Sequence, residues 1–192
     1  MKPTLMLTLV FLLMNTPLLH AQDTAAVTHP ETTTQVKRAL RKARRYYKKH
    51  RREEALSIYL RYASSPLLTA EDAIRAGVIY EHRDVNDVED FIQATYWYRK
   101  AAEKGDAKGE YLLGYMYLTG QGITANADSA LYWLNKSASL EDTDAEYLLA
   151  DMYEHGDGVP RDLEKAKMWY REAAKDGDKS ARKNCRRLGI KW

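Results

Sequence analysis

The sequence repeats itself with a period of 36 residues, and three tryptophans, Trp97, Trp133 and Trp169, mark the repeat most clearly. Alanines keep the same period three residues before each tryptophan and five residues after it. A fixed period in this range is typical of proteins in which copies of one supersecondary unit stack on each other. The repeat therefore predicts a stack of similar units that share a continuous core.

Each unit is predicted to be a pair of helices, because its apolar residues recur at spacings of three and four. The first helix, at residues 107–118 and 143–154, ends at a glycine, which can take the left-handed conformation that closes many helices. The second helix begins near Asp128 or Asp162, whose carboxylates suit the free N–H groups of a helix start. We expect the three tryptophans to be core residues, since a periodic aromatic residue at helical spacing usually packs inside.

The repeat extends beyond the tryptophan-containing units at both ends. A unit at residues 70–104 aligns with the later ones if one residue is inserted in its loop, and a weaker unit precedes it. We predict an all-α domain over residues 35–192, with units at 35–66, 70–104, 107–140 and 143–177 and a capping helix at 178–192.

Two stretches carry the pattern most fully, "AKGEYLLGYMYLTGQGITANADSALYWLNKSA" and "TDAEYLLADMYEHGDGVPRDLEKAKMWYREAAKDG". They resemble the Sel1-like repeat, a relative of the tetratricopeptide repeat, whereas the unit at 35–66 looks more like an ordinary tetratricopeptide repeat. The resemblance implies a right-handed α-solenoid that binds other proteins and has no chemistry or cofactor of its own. Glu141 departs from the pattern where Gly105 and Gly177 keep it, so we expect a strained or differently shaped turn there.

The N-terminal residues have the layout of a secretory signal peptide. Lys2 precedes an apolar run from Leu5 to Met14, and the small residue Ala21 follows. An apolar run of roughly ten residues is too short to span the roughly 30 Å of a bilayer's hydrocarbon core. We expect cleavage near Ala21 (signal peptide 1–21), a flexible leader over residues 22–34, and a periplasmic or secreted protein.

The sequence offers no pattern of metal-binding or catalytic residues. The five histidines are scattered, and none stands three or four residues from another histidine or from the single cysteine, Cys185. A solenoid also has few deep pockets in which a catalytic triad could assemble. We therefore expect no metal, no cofactor and no enzyme activity, and we rank a cell-wall enzyme or its accessory below the binding functions.

Charge is distributed unevenly along the chain. Residues 37–52 hold ten lysines and arginines and no acid, whereas residues 81–178 hold 21 acidic and 11 basic residues, a net charge of −10 by subtraction. The basic run is either a solvated helix face or a contact for an acidic surface, such as anionic lipid, an acidic protein or a second copy of the chain. Nucleic acid does not fit an exported protein. The candidate contact residues are Arg41, Lys42, Arg45, Lys48 and Lys49.

A solenoid presents an extended concave surface, which the first helix of each pair lines. Several polar or aromatic residues on these helices are not dictated by packing, and they form the predicted partner-binding groove: Arg75, His82, Tyr111, Tyr115, Leu118, Tyr147, Asp151 and Glu154. We expect an exported, non-catalytic adaptor for a protein or peptide, such as an envelope scaffold, a regulator or an immunity-type inhibitor of a secreted toxin. The alternative is a peripheral membrane protein that docks to anionic lipid through the basic helix.

The signal-peptide assignment predicts the N-terminus of the mature protein. N-terminal sequencing of the protein from a periplasmic fraction should give a start close to residue 22, because the charged start, apolar run and small residue follow in the order that signal peptidase requires. A cytoplasmic protein that still begins at Met1 would contradict export.

Overall fold

A computed structural model describes residues 31–83 and 87–192, and these residues form nine α-helices and no strand. The chain divides into Met1–Gln35 and Val36–Trp192. The predicted signal peptide and most of the leader lie outside the described residues. The helices are α1 (Thr33–Lys48), α2 (Arg52–Arg61), α3 (Ala70–Glu81), α4 (Val88–Ala102), α5 (Ala107–Thr119), α6 (Ala127–Ala138), α7 (Thr143–His155), α8 (Leu163–Lys175) and α9 (Lys179–Arg187).

The helices stack in the order in which they occur in the chain. From α2 to α9, every two consecutive helices pack against each other, most extensively α3 with α4, α5 with α6, and α7 with α8. This nearest-neighbour packing is the defining property of a solenoid. The predicted all-α solenoid with a capping helix is thereby confirmed. Within the described ranges, none of the helices combines the length and the apolarity needed to cross a membrane.

The helix boundaries follow from capping side chains and left-handed glycines. The side chains of Asp106, Asn126 and Asp162 each accept a hydrogen bond from a backbone N–H in the first turn of α5, α6 and α8. Asn126 caps α6, and Asp128 lies one residue inside the helix. At the other end, α5 and α7 stop at Gly120 (φ 73°) and Gly156 (φ 83°), as the sequence predicts.

Glu141 adopts a conformation that glycine adopts in the neighbouring units. Its φ is 61°, compared with 74° for Gly105 and 105° for Gly177 at the equivalent positions. The turn is therefore left-handed in all three units, and the irregularity lies in the residue, not in the path of the chain. A left-handed conformation costs an L-amino acid roughly 1–2 kcal/mol.

Of the three periodic tryptophans, only Trp97 is completely buried. It lies in a cluster with Tyr59, Tyr98 and residues of α1 to α5. Trp133 and Trp169 are half-buried, so the expectation of three core tryptophans holds fully for the first and partly for the other two. The Trp133 ring is covered by side chains of its own helix: the edge of Tyr132 lies against it with 5.0 Å between ring centroids, and Lys136 Nζ lies 5.0 Å from the ring centroid.

Replacing Glu141 with glycine should stabilise the protein by about 0.5–1 kcal/mol. The substitution removes the cost of the left-handed conformation, roughly 1–2 kcal/mol. It also introduces a cost of about 0.5–1 kcal/mol, because glycine loses more backbone entropy on folding than other residues do. Urea unfolding at an unchanged m-value measures the difference.

Two variants isolate the backbone effect. Gly105→Glu should destabilise by a similar amount, because no atom lies within 4 Å of an added Cβ at that position. Glu141→Gln removes the charge and keeps the side chain, so it should change stability little. Equal stability of the Glu141→Gly and Glu141→Gln variants would show that the left-handed turn carries no cost here.

Candidate functional site

The first helices of the central units present a row of tyrosines, Tyr111 and Tyr115 on α5 and Tyr147 on α7, hereafter the tyrosine row. All three are half-buried, so the core uses one part of each ring and leaves the rest at the surface. Tyr111 and Tyr147 are equivalent positions, 36 residues apart. Tyr111 and Tyr115 lie one helical turn apart, with 6.5 Å between ring centroids. The row therefore combines one ring position that recurs with the repeat and a second ring, Tyr115, on α5.

An ion pair beside the tyrosine row connects α5 of one unit with α7 of the next. Lys108 on α5 forms an ion pair with Asp144 on α7, and its Nζ lies 4.3 Å from the centroid of the Tyr111 ring. Burial, followed by the nearby carboxylate of Asp144, raises the pKa of Tyr111 to about 12. The phenol is therefore protonated at physiological pH and can donate a hydrogen bond.

The α7 end of the row carries charge as well as aromatic surface. Tyr147 packs against Tyr170 of α8, with 5.7 Å between ring centroids. Asp151 follows one turn later, and its Oδ1 lies 3.3 Å from His155 Nδ1. Donor atoms of Asp151, His155 and Asp157 all lie within 4.8 Å of one another and could hold a divalent cation. Exposed acidic groups commonly lie this close without a metal, so the cluster by itself does not indicate one.

Other residues of the predicted groove are engaged in internal contacts. Glu154 is 8% exposed; it accepts a hydrogen bond of 2.8 Å from the Tyr170 hydroxyl and two of 2.7 Å from Arg187 Nη2. Burial acts to raise the pKa of Glu154, but the hydrogen bonds from Arg187 and Tyr170 outweigh it and hold the pKa below its usual range. Glu154 thus fastens the capping helix α9 to α7 and α8.

Three more predicted groove residues differ in their accessibility. Leu118 is half-buried and packs against the core cluster of α6 and α7. Arg75 binds the carboxylates of Glu71 and Asp72. His82 is exposed at the end of α3, with Nδ1 2.9 Å from the carbonyl oxygen of Val78. Besides His82, the part of the predicted groove that remains available to a partner is therefore the tyrosine row with Asp151.

The five basic residues proposed as a contact surface are all exposed, four of them on α1 and the last directly after it: Arg41, Lys42, Arg45, Lys48 and Lys49. On the opposite side of the helix, Leu40 and Ala43 are buried in the first core cluster. Arg44 differs from the other cations of the run, because its Nε and Nη2 donate to the two carboxylate oxygens of Asp72 at 2.7 and 2.6 Å. Arg44 is therefore part of the fold.

The structure also shows a surface row that the sequence reasoning missed. Four large apolar side chains, one from each of α2, α4, α6 and α8, are exposed by 43–60%: Leu60, Tyr96, Tyr132 and Met168. Tyr96, Tyr132 and Met168 each stand one position before a tryptophan of the repeat, whereas Leu60 follows two positions after Ile58, which aligns with the tryptophans. The register could have found the first three, because an apolar position that lies beside the core position in each of these units must lie at the edge of the core or outside it. This set is the outer row.

Fold and surface together define a helical repeat protein whose exposed side chains recur from unit to unit. The Sel1 repeat family model matches residues 34–49, 70–106, 107–142 and 143–178, which is more than half of the chain. The chain belongs to the Sel1 repeat family. Proteins of this family generally act as protein-interaction scaffolds, and the fold is typically non-catalytic.

Solved structures agree with this assignment. A Sel1 repeat protein from Oxalobacter formigenes is 27% identical, with a TM-score of 0.63 over 74% of this chain and 57% of that one. The protective antigen c5321 of uropathogenic Escherichia coli is 28% identical, with a TM-score of 0.67 over 80% of this chain and 32% of that one. The chain thus spans little more than half of the first protein and a third of the second.

A more distant structure shares the fold alone. Helicobacter pylori cysteine rich protein B is 18% identical, with a TM-score of 0.52 over 67% of this chain and 92% of that one. A search among curated proteins found no match.

Proposed function

We propose that this protein is an exported, non-catalytic adaptor that binds a protein or peptide partner along α3, α5 and α7. The observation that carries the proposal is the tyrosine row, whose three rings are half-buried and two of which, Tyr111 and Tyr147, occupy equivalent positions of the repeat. Tyrosine is enriched at the centre of protein interfaces, because it offers a large apolar ring together with a hydroxyl that can form hydrogen bonds. The family's general role as a scaffold supports the same conclusion.

The side chains around the row indicate the kind of contact that a partner makes. Asp151 is half-exposed and carries a negative charge, while Lys108 and Asp144 satisfy each other's charge. A partner segment with apolar or aromatic side chains over the row and a polar or basic group near Asp151 would match this surface. In the periplasm, such an adaptor would serve as an envelope scaffold, a regulator or an immunity-type inhibitor of a secreted toxin.

Truncating Tyr115 should weaken partner binding about 30-fold, because a central interface tyrosine contributes about 2 kcal/mol. The wild-type protein and the Tyr115→Ala variant serve as baits for an envelope extract, and quantitative mass spectrometry compares what each retains. Titration of the retained partner against both baits then gives the affinity ratio.

Tyr132→Ala is the matched control, because Tyr132 is a 60% exposed tyrosine of the outer row. It should leave the partner's affinity unchanged. Loss of the partner in Tyr132→Ala, with retention in Tyr115→Ala, would move the binding site to the outer row.

The exposed cations of α1 favour a second candidate function, which is peripheral attachment to a membrane. Four basic side chains of α1 and the adjoining Lys49 are exposed to water, while Leu40 and Ala43 hold the other side of the helix in the core. A cation close to an anionic leaflet contributes roughly 1 kcal/mol. This surface could therefore hold the protein on anionic lipid while the tyrosine row binds a partner.

Reversing Arg41, Lys42, Lys48 and Lys49 to glutamate should abolish binding to vesicles that contain phosphatidylglycerol. Helix content and melting temperature should stay nearly unchanged, because exposed charges contribute little to stability and Arg44 keeps its contact with Asp72. Sedimentation with vesicles at low and high salt measures the effect, and wild-type binding should weaken as salt shortens the screening length. Equal vesicle binding by the wild type and the variant would leave the basic face as a solvated surface.

A further inference from the structure

Two equivalent glutamates, Glu110 on α5 and Glu146 on α7, are buried at the starts of successive units. Glu110 is 0% exposed and Glu146 is 4% exposed. They are 36 residues apart and each lies in the first turn of its helix. Because a buried carboxylate is costly without a cation or hydrogen bonds, the neighbours of these two residues can be compared directly.

In the first of these units, a lysine of the same chain supplies the cation. Lys136 on α6 places its Nζ 2.6 Å from Glu110 Oε1, so the two side chains form an ion pair. The contact does not have the geometry of a hydrogen bond. The same Nζ lies 5.0 Å from the centroid of the Trp133 ring. Contact with Glu110 raises the pKa of Lys136, so the ammonium is fully charged at this position. The unit thus holds an ammonium group between a buried carboxylate and an indole ring.

In the next unit the cation is replaced by an acid. The residue 36 positions after Lys136 is Glu172, whose carboxylate oxygens lie 2.8 and 2.9 Å from Lys175 Nζ. Glu146 Oε2 is buried and has no hydrogen-bond partner. Trp169 occupies the position of Trp133 and is likewise half-buried. The carboxylate and the indole are therefore both present, but among the described residues no ammonium forms an ion pair with Glu146, and Lys175 is paired with Glu172.

The charges that act on Glu146 are negative. Burial raises the pKa of Glu146 to about 7, and the carboxylates of Asp176, Glu172, Asp142 and Glu141 raise it in the same direction. These acids come from α8 and from the turn that precedes α7. Near neutral pH, Glu146 is stabilised either by a proton or by a cation that arrives from outside the unit.

We propose that Glu146, Trp169, Glu172 and Asp176 form a binding site for an ammonium group, supplied by a lysine side chain of a partner protein. The internal template is Lys136, which shows that a lysine side chain fits between these two kinds of group in this fold. Charge complementarity with four carboxylates favours a cation, and an indole face adds attraction for an ammonium group. The proposal does not rest on the tyrosine row and stands or falls separately from it.

Glu146 makes the stability of the protein without a bound cation depend on pH. Because the folded pKa of Glu146 lies above its usual value of 4.5, its contribution to stability is complete below that value and is lost as pH rises through about 7. A cation in the site should reverse this trend, since it favours the ionised carboxylate. The pKa of Glu146 is therefore the readout, and carboxyl NMR of the full-length protein measures it.

The first arm of the experiment supplies the ammonium within the chain. Glu172→Lys restores the residue that the preceding unit carries, so the pKa of Glu146 should fall by at least about one unit, a tenfold preference for the ionised form. Glu172→Gln removes the charge without adding an ammonium and should lower the pKa less. A Glu146 pKa that is the same in Glu172→Lys and Glu172→Gln would show that the site does not hold an ammonium.

The second arm supplies the ammonium from outside, with a tetralysine peptide as the probe. The peptide should lower the pKa of Glu146 by about one unit in the wild type and should have no effect in Glu172→Lys, where the site is filled. The N-ε-acetylated peptide and an equal concentration of sodium chloride are the controls. No shift with tetralysine, or an equal shift with sodium chloride, would overturn the proposal and leave Glu146 as a buried acid that is closed to external lysines.

Discussion

The close approach of neighbouring helices is the constraint on which the rest of this structure depends. A Cβ atom on Gly77 would lie 2.5 Å from the Tyr98 ring, and one on Gly114 would lie 2.8 Å from Leu134 Cγ. The two helices of a unit are therefore in contact at these glycines, and neither glycine position can accommodate a larger residue. Gly109 meets Ala101 of the preceding unit at a similar distance. Gly77 and Gly114 thus each leave room for a large side chain of the neighbouring helix. Tyr115 of the tyrosine row directly follows Gly114, and Tyr132 of the outer row stands two positions before Leu134, so residues of both rows flank this crossing.

The period of the sequence was sufficient to predict the helices, their pairing and the capping helix, because each depends on spacing and on local capping chemistry. Glu141 shows why this works even where a residue departs from the pattern. Its neighbours in the stack determine the path of the chain, and the residue adopts the left-handed conformation of the glycines at that position. Periodicity predicts which side of a helix faces its neighbour, and this was enough for the fold.

Periodicity does not predict which residues a side chain contacts on the packed face of a helix. Trp97 is completely covered and Trp133 is not, although both occupy the same position of the repeat. Glu154 had the features of a groove residue in the sequence, but its partner is Arg187, 33 residues away on the capping helix. Similarly, Arg44 cannot be told from the other cations of its run until Asp72, 28 residues later, is placed beside it. The predicted site residues whose role depended on a distant partner were the ones that the sequence could not assign.

The capping helix carries the chain's single cysteine. Cys185 is buried against α8, and its thiol donates a hydrogen bond to the carbonyl oxygen of Tyr170 at 3.4 Å. Burial raises the pKa of this thiol, which makes it unreactive while α9 is in place. Because α9 is the last helix of the stack, packed on α8 and bonded to α7 only through Arg187 in the contacts described above, it can detach while the central units remain folded. The rate at which a thiol reagent labels Cys185 in the unmodified protein therefore measures how often α9 detaches from the rest of the stack. The protein thus carries a natural probe for local unfolding of its C-terminal end.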